Sequence, residues 1–134
     1  MRNELGIRVY YEDTDAGGVV YHAQYVKFME RARTEWLREL GFDQRVLRET
    51  DNLLFVVRSM ELDFQAPARL DDELIATAEL IHCGKASFTF AQTVERNGME
   101  LVKARVKVAA ISATEMKPRG MPRELLDQLN GAMS

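Results

Sequence analysis

The stretch QYVKFMERARTEWLREL at residues 24–40 decides the fold of this chain. Its apolar residues recur at spacings of three and four and therefore share one stripe of an α-helix: Tyr25, Phe28, Met29, Ala32, Trp36 and Leu40. Charged residues occupy the opposite face, and Gly41 directly after Leu40 is typical of a helix end. The spacing predicts one long amphipathic helix, which needs an apolar surface to cover its stripe.

Five segments outside this helix alternate apolar and polar residues, which is the pattern of half-buried strands. They lie at residues 5–11, 60–64, 74–80, 88–94 and 102–110. In the first segment one face carries Leu5, Ile7, Val9 and Tyr11. Asn97-Gly98 predicts a tight hairpin between the last two strands, because both residues tolerate positive φ angles.

The order of these elements is one strand, the long helix, and four strands joined by short turns. Pro122 then begins a short C-terminal helix from Arg123 to Leu129. One helix cannot cover both faces of five strands, so we expect a twisted antiparallel sheet wrapped around a central helix. This is an α+β class and the hotdog fold. The apolar stretch 53–57 is expected near its centre, with both faces covered.

Length and composition narrow the class of protein. The 134 residues predict one domain spanning 1–134, and 18 basic against 21 acidic residues leave a net charge of −3. That balance argues against nucleic-acid binding through a basic face. The one cysteine, Cys83, fits a reducing compartment. No signal peptide or long apolar window is present, so we expect a cytoplasmic protein without a membrane span.

Most signatures of catalysis or metal binding are missing. No serine stands in a glycine-flanked nucleophile elbow, and no glycine-rich phosphate loop occurs. His82 and Cys83 are neighbours, but adjacent residues of a strand point to opposite faces. The widely separated histidines give no zinc spacing, and the acidic pair near residue 14 lacks the other ligands of a calcium loop. We therefore predict no metal and no cofactor.

The remaining dense segment is YEDTDAGGVVYHAQY at residues 11–25, which holds Asp13, Asp15, Gly17-Gly18 and His22. One interpretation is structural: the aspartates bond to their own turn and the glycines supply positive φ. The other is functional. The glycines let a ligand approach the backbone, and the free N–H groups at the helix start face that ligand. Such donors suit a developing oxyanion while a carboxylate attacks or activates water.

The stretch DTDAGGVVYHAQY at residues 13–25, continuing into ERAR at 30–33, resembles the 4-hydroxybenzoyl-CoA thioesterase family of hotdog enzymes. Within that family it is most similar to the branch associated with the Tol–Pal system of Gram-negative bacteria. The resemblance extends over essentially the whole chain through YYE at 10–12, FVVR at 55–58, APARLDD at 66–72 and MKPR at 116–119.

The resemblance implies hydrolysis of an acyl-CoA thioester to a free acid and coenzyme A, without a cofactor. Asp15 is then the catalytic carboxylate, acting as nucleophile or general base. The oxyanion donor is a backbone N–H at about His22, and participation of its imidazole is left open. Asp13 is expected to be a turn or positioning residue. The resemblance also implies substrate-binding residues: Gly17, Gly18, Tyr25, Arg58, Arg69, Lys85 and Ser87.

In that family the coenzyme A contacts come largely from the partner subunit. We therefore expect a homodimer, and by resemblance a dimer of dimers, with acyl-CoA as substrate and acyl carrier protein as an alternative donor. A peripheral location at the inner membrane is left open beside the cytoplasm. Acyl length is not readable, because packing decides which aromatic residue closes the pocket: Phe28, Trp36, Phe55 or Phe64.

Two other functions are compatible with the same fold. The first is a non-catalytic hotdog adaptor that binds acyl-CoA or acyl carrier protein, although the intact Asp15 and its glycine turn favour an enzyme. The second is dehydration of a β-hydroxyacyl thioester, which pairs a histidine with a carboxylate and would use His22 with Asp15. Thiol release and hydration of a crotonyl thioester distinguish the three.

Overall fold

In the computed structural model, which describes residues 1–133, five strands form one antiparallel sheet in the order β1-β3-β4-β5-β2. The strands are β1 (Arg2–Arg8), β2 (Leu53–Phe64), β3 (Glu73–Cys83), β4 (Ser87–Arg96) and β5 (Met99–Ser112). The helices are α1 (His22–Glu39), α2 (Gln44–Asp51) and α3 (Arg123–Ala132). β1 and β2 are therefore the two edges of the sheet.

The core lies between α1 and one face of the sheet, which confirms the predicted hotdog arrangement. The apolar stripe of α1 is buried, and Trp36 packs edge-to-face on Phe90 of β4 with ring centroids 5.1 Å apart. Alternate residues of β3, β4 and β5 supply the other side of the core. Fully burying each large apolar side chain contributes about 1.5–3 kcal/mol, so this stripe is the main reason α1 is seated on the sheet.

The ends of α1 follow from its sequence. The helix begins at His22, two residues before the predicted start, and Gly41 adopts a φ of 101° directly after its last turn. The Gly41 N–H donates to Arg38 O at 3.0 Å and the Phe42 N–H donates to Leu37 O at 2.9 Å. This pair of bonds is a Schellman motif, and it confirms the predicted glycine stop.

The first strand begins and ends three residues earlier than predicted. β1 separates from β3 after Arg8, and Tyr11 lies in a 3-10 turn spanning Tyr11–Asp13 with 83% of its surface exposed. The prediction that Tyr11 shares the buried face of the strand is therefore wrong. The physical reason is that Asp13 accepts a hydrogen bond from the Tyr10 N–H, which curls the chain away from the sheet.

The stretch 53–57 does not lie at the centre of the sheet. It continues into the predicted strand 60–64 as one long edge strand, β2, which carries a register shift between Val57 and Ser59. Val56 and Val57 are 37% and 46% exposed. The prediction failed because a run of apolar residues is compatible both with a strand that is covered on both faces and with a strand at the edge of the sheet.

The connection from α1 to β2 is not a short turn. It contains α2, which the sequence analysis missed because only Leu47 of that helix is buried. Asp43 caps α2 by accepting hydrogen bonds from the N–H groups of Arg45 and Val46 at 2.8 and 3.3 Å. Asn52 ends it in the left-handed conformation. Capping residues rather than an apolar stripe therefore define this helix.

The hairpin and the C-terminal helix agree with prediction. Asn97 and Gly98 both have positive φ angles, 52° and 79°, between β4 and β5. α3 follows Pro122 and extends three residues beyond the predicted end, with Leu125 and Leu129 buried. Among residues 1–133, no helix combines the length and the apolar character needed to cross a membrane.

Candidate active site

The glycine turn before α1 folds back on itself. Thr14 pairs with Val20 as an antiparallel bridge, and the Asp15 N–H donates to Val19 O at 2.9 Å. Gly18 closes the turn with a φ of 79° and donates its N–H to Asp15 O at 3.0 Å. A left-handed residue costs roughly 1–2 kcal/mol when it carries a side chain, which explains glycine at this position. The turn presents Asp15 at its rim, next to the segment that leads into α1.

The Asp15 carboxylate is exposed, and one of its oxygens is held in place. Its Oδ1 atom accepts a hydrogen bond from the Gly17 N–H at 2.8 Å. No other hydrogen bond or ion pair reaches this carboxylate from the described part of the chain. A Cβ atom on Gly17 would lie 3.2 Å from the same oxygen. Asp15 is thus oriented by backbone alone and keeps one oxygen available to a ligand.

Asp13 has the opposite environment. It is buried, and its two oxygens accept hydrogen bonds from the Tyr10 N–H at 2.9 Å and from Gln24 Nε2 at 2.8 Å. Its carbonyl also accepts the Tyr21 N–H at 2.9 Å. With both oxygens engaged, this carboxylate links the 3-10 turn to the first turn of α1.

The first backbone amides of α1 have no acceptor. No side chain caps the helix, and within residues 1–133 the N–H groups of His22 and Ala23 donate to no carbonyl or carboxylate. Gln24 N–H is the first amide that is paired, to Tyr21 O at 2.8 Å. The positive end of the helix dipole therefore offers two open donors directly after the glycine turn.

The His22 imidazole lies at the surface beside these amides. Its ring is 4.5 Å from the Tyr21 ring and 6.4 Å from Phe64 of β2, measured between centroids. No hydrogen bond joins it to Asp15. The backbone of His22, rather than its side chain, is therefore the part aligned with the helix dipole.

Tyr25 is buried within the protein. Its hydroxyl accepts a hydrogen bond from the Ala68 N–H at 3.0 Å, and its ring packs on Phe28 and Phe64. Burial raises the pKa of Tyr25, although the Ala68 N–H acts in the opposite direction. In this single chain Tyr25 fastens α1 to the loop before β3.

That loop brings Arg69 to the glycine turn. Arg69 forms an antiparallel bridge with Val19, and the Val20 N–H donates to Ala68 O at 2.8 Å. Asp72 braces the loop by accepting from the Arg69 N–H and from Arg96 Nη1, at 2.8 and 2.7 Å. Partial burial acts to raise the pKa of Asp72, but these two donors hold it below its usual value.

The other predicted contacts lie far from Asp15 in one chain. Arg58 sits at the β2 register shift, roughly 20 Å along the strand from Phe64 at 3.3 Å per residue. Lys85 lies in the β3–β4 turn and Ser87 begins β4, the length of β3 away from the loop that carries Arg69. The structure therefore joins Gly17, Gly18, Tyr25 and Arg69 to the Asp15 turn and leaves Arg58, Lys85 and Ser87 outside it.

Two cations that sequence reasoning did not select lie near the β3–β4 turn. The segment after β5 runs antiparallel to its end, with Arg119 N–H donating to Ala110 O at 3.0 Å. Ala110 N–H donates in turn to Ala86 O at 2.8 Å, next to Lys85. Lys117 and Arg119 thus lie on the segment that returns to the β3–β4 turn, where the Met121 N–H donates to Lys85 O at 2.8 Å; Lys85, Lys117 and Arg119 are here called the turn cations. The MKPR motif that contains Lys117 and Arg119 was visible in the sequence, but only the folded chain shows that it lies near the β3–β4 turn.

Metal ligands do not converge anywhere in residues 1–133: no three His, Cys, Asp or Glu side chains form a group suited to a metal ion. Cys83 is half-buried and burial raises the pKa of its thiol, which keeps it in the unreactive protonated form. His82 beside it is exposed.

A family model described as the Thioesterase superfamily matches residues 17–103, which run from Gly17 through α1, β2, β3 and β4 into the start of β5. The chain therefore belongs to the thioesterase superfamily. This confirms the predicted family and the predicted class of enzyme, a thioester hydrolase.

Individual relatives are similar over nearly their whole length. The chain is 50% identical over 119 residues to the acyl-CoA thioesterase YbgC of Haemophilus influenzae, covering 89% of this chain and 88% of that protein. It is 47% identical over 121 residues to the acyl-CoA thioester hydrolase YbgC of Escherichia coli O157:H7, covering 90% of each. The crystal structure of a probable thioesterase from Bartonella henselae matches with a TM-score of 0.87 at 39% identity, covering 91% of this chain and 100% of that one.

Proposed function

We propose that this chain hydrolyses acyl-CoA thioesters to a free carboxylic acid and coenzyme A. One observation carries the proposal: the exposed Asp15 carboxylate, oriented by the Gly17 N–H, lies on a turn that leads directly into the open N–H groups of His22 and Ala23. The names of the YbgC relatives, acyl-CoA thioesterase and acyl-CoA thioester hydrolase, support the same substrate class.

The open amides account for activation of the substrate. A thioester carbonyl oxygen that accepts the His22 N–H becomes more negative as the carbonyl carbon is attacked. Backbone donors fixed by the helix need no rearrangement to stabilise that oxyanion, and loss of one such donor typically lowers the rate by about 10²–10³-fold. The helix dipole adds to the effect because both amides lie in its first turn.

Asp15 supplies the attack by one of two routes. As general base it takes a proton from water, whose oxygen bonds to the carbonyl carbon; the C–S bond then breaks and the thiolate of coenzyme A takes up the proton. As nucleophile it bonds to the carbonyl carbon, expels the thiolate and leaves a mixed anhydride, which water hydrolyses. Both routes consume one water and need no cofactor.

For the coenzyme A moiety we propose the turn cations Lys85, Lys117 and Arg119, together with Arg58 and Ser87. Their distance from Asp15 in one chain means that a partner subunit supplies them. We propose β2 as the dimer interface, because it is an edge strand with exposed Val56 and Val57. The unpaired N–H and C=O groups of such an edge strand can pair with the same strand of a second copy. Association of two dimers into a tetramer is part of the same proposal.

We also propose, on the family resemblance, that residues 1–134 act as one domain in the cytoplasm or at the inner membrane. The resemblance supports a link to the Tol–Pal system and leaves acyl carrier protein as an alternative acyl donor.

The decisive experiment measures thiol release from a panel of short, long and aromatic acyl-CoA esters. Wild type is compared with Asp15→Asn and with Asp127→Asn, which makes the same chemical change at an exposed aspartate of α3. We expect wild type and Asp127→Asn to release thiol equally, and Asp15→Asn to be at least about 10²-fold slower.

Circular dichroism confirms that each variant is folded. Near-normal turnover by folded Asp15→Asn would exclude the catalytic assignment. Tight binding of acyl-CoA without thiol release from any ester would identify the protein as an adaptor instead.

A further inference from the structure

Arg33 is a cation buried in the core of this protein. It lies on the sheet-facing side of α1 with 7% of its surface exposed. Its Nη1 atom donates to Gln92 Oε1 at 2.9 Å. Within residues 1–133 its other donors have no acceptor, and no carboxylate forms an ion pair with it.

Gln92 cannot balance this charge. Its side-chain amide is fully used, with Nε2 donating to Met29 O at 3.0 Å and to Thr77 O at 3.1 Å. Its oxygen is therefore held in place as a neutral acceptor. Burial lowers the pKa of Arg33, and the exposed carboxylate of Glu30 one turn earlier acts in the opposite direction. Glu30 forms no ion pair with Arg33, so within residues 1–133 no carboxylate lies at hydrogen-bond distance from the guanidinium.

Arg33 forms part of the wall of a cavity of about 120 Å³ between α1 and the inner face of β2, β4 and β5. The rest of the wall combines three polar residues, Glu30, Thr34 and Gln44, with six apolar ones: Leu37, Phe55, Val57, Phe88, Phe90 and Val108. An apolar cavity of about 150 Å³ can hold a benzene-sized ligand, so a short hydrocarbon segment fits. Glu30 and Gln44 are exposed, so the cavity reaches the surface beside α1.

The cavity also lies on the helix that carries the proposed oxyanion donors. Arg33 follows His22 by three helical turns, roughly 16 Å at 1.5 Å per residue. Side chains of a helix lean toward its N-terminus, which brings the guanidinium closer to the reacting carbonyl. A substrate anchored at the start of α1 can therefore extend its acyl chain toward this cavity.

We propose that this cavity binds the remote end of the acyl group and that Arg33 selects acyl groups ending in a carboxylate. The apolar side chains of the wall suit the methylene chain, and the planar guanidinium fork suits a carboxylate, which would supply the missing counter-charge. The proposal rests on thioester hydrolysis as the proposed function, and it defines Arg33 as a specificity residue for that reaction.

The test compares kcat/KM for pairs of esters of equal chain length: succinyl- with butyryl-CoA, adipoyl- with hexanoyl-CoA, and suberoyl- with octanoyl-CoA. In wild type we expect the carboxylate-ended member of at least one pair to be favoured by about tenfold or more. Arg33→Met should abolish that preference while retaining turnover of the alkyl ester. Arg33→Lys keeps the positive charge but lacks the planar guanidinium group, and it should retain part of the preference for the carboxylate-ended ester.

A second measurement separates this proposal from the proposed function, because it needs no turnover. Calorimetric titration of wild type and Arg33→Met with hexanoate and with hexanol should show carboxylate binding that depends on Arg33. Equal rates within every pair, together with absence of that binding, would overturn the proposal even if hydrolysis is confirmed. Loss of the oligomer in Arg33→Met, with all esters slowed equally, would also overturn it by indicating that Arg33 pairs with a second copy.

Discussion

The Gln24 side-chain amide donates to Asp13 Oδ1 at 2.8 Å, so the first turn of α1 is bonded to the turn that precedes it. The same carboxylate accepts the Tyr10 N–H through its other oxygen. Asp13 therefore holds the segment that carries Asp15 against the helix start, while Asp15 itself remains exposed. The two aspartates are two positions apart and have different environments, because only Asp13 is buried.

Asp13→Asn should destabilise the fold. An asparagine places an NH₂ group opposite one of the two donors, which leaves a buried donor unpaired at a cost of about 1–3 kcal/mol. Urea denaturation measures this change, and Asp127→Asn on the exposed face of α3 should leave the midpoint almost unchanged. Equal stability of Asp13→Asn and wild type would contradict the positioning role.

Gly17→Ala should lower activity more than stability. The added Cβ would sit 3.2 Å from Asp15 Oδ1, closer than most real contacts, so the carboxylate must shift. A small displacement of a catalytic group can lower the rate by about 10²-fold. Gly6→Ala on β1, where a Cβ meets nothing within 4 Å, is the control. Turnover and the melting temperature are compared for both variants, and unchanged turnover would exclude tight positioning of Asp15.

Removing the turn cations should weaken binding of the nucleotide portion of the substrate. For Lys85→Ala combined with Lys117→Ala we expect a higher KM for acyl-CoA and little change in kcat. The effect should shrink at high salt, because exposed charges are screened. An acyl-pantetheine, which lacks the nucleotide, should be insensitive to the change. Lys27→Ala combined with Lys103→Ala, at two exposed lysines elsewhere, removes the same charge, and an equal effect there would argue against a specific site.

Val56→Lys should convert the proposed dimer into monomers. A charge on an edge strand opposes pairing with another strand, and a two-fold axis would place the new lysines of both subunits near each other. Ile75→Lys in β3 is a matched control, since Ile75 is also 37% exposed but lies on an inner strand. Size-exclusion chromatography and light scattering give the masses. A dimeric Val56→Lys would place the interface elsewhere.

Tyr25→Phe should destabilise the protein at neutral pH and do so less above pH 10. The change leaves the buried Ala68 N–H without its acceptor, at about 1–3 kcal/mol. Burial raises the pKa of Tyr25 above its unfolded value of about 10, so the folded state holds the proton more tightly. Wild type therefore loses this stabilisation as the pH rises through the folded pKa, whereas the phenylalanine variant does not. The difference between the denaturation midpoints of wild type and Tyr25→Phe should therefore be smaller at pH 11 than at pH 7. The same difference at both pH values would contradict the raised pKa.

Local patterns were sufficient for most elements of the fold. The spacing of Phe28, Ala32 and Trp36 predicts α1 because an amphipathic helix must place those residues on one stripe. Asn97-Gly98 predicts the hairpin because its turn requires positive φ angles. The glycine turn likewise indicated the segment that holds Asp13 and Asp15, since two carboxylates, two glycines and a helix start stand close together there, and the family resemblance selected Asp15 between the two.

Other features depend on contacts between distant segments. The exposure of Val56 and Val57 follows from the position of β2 at the sheet edge, which no local pattern encodes. Met121 contacts Lys85 because the segment after β5 returns to the β3–β4 turn.

The sequence by itself determined the long helix, most of the strands and the turn that carries the candidate carboxylate, because these depend on residues close together in the chain. Only the tertiary structure decided that Asp13 is buried while Asp15 is exposed. It alone placed Arg33 against Gln92 beside a cavity. Burial and counter-charge are properties of neighbours brought together by folding, so they appear only when the sheet closes around α1.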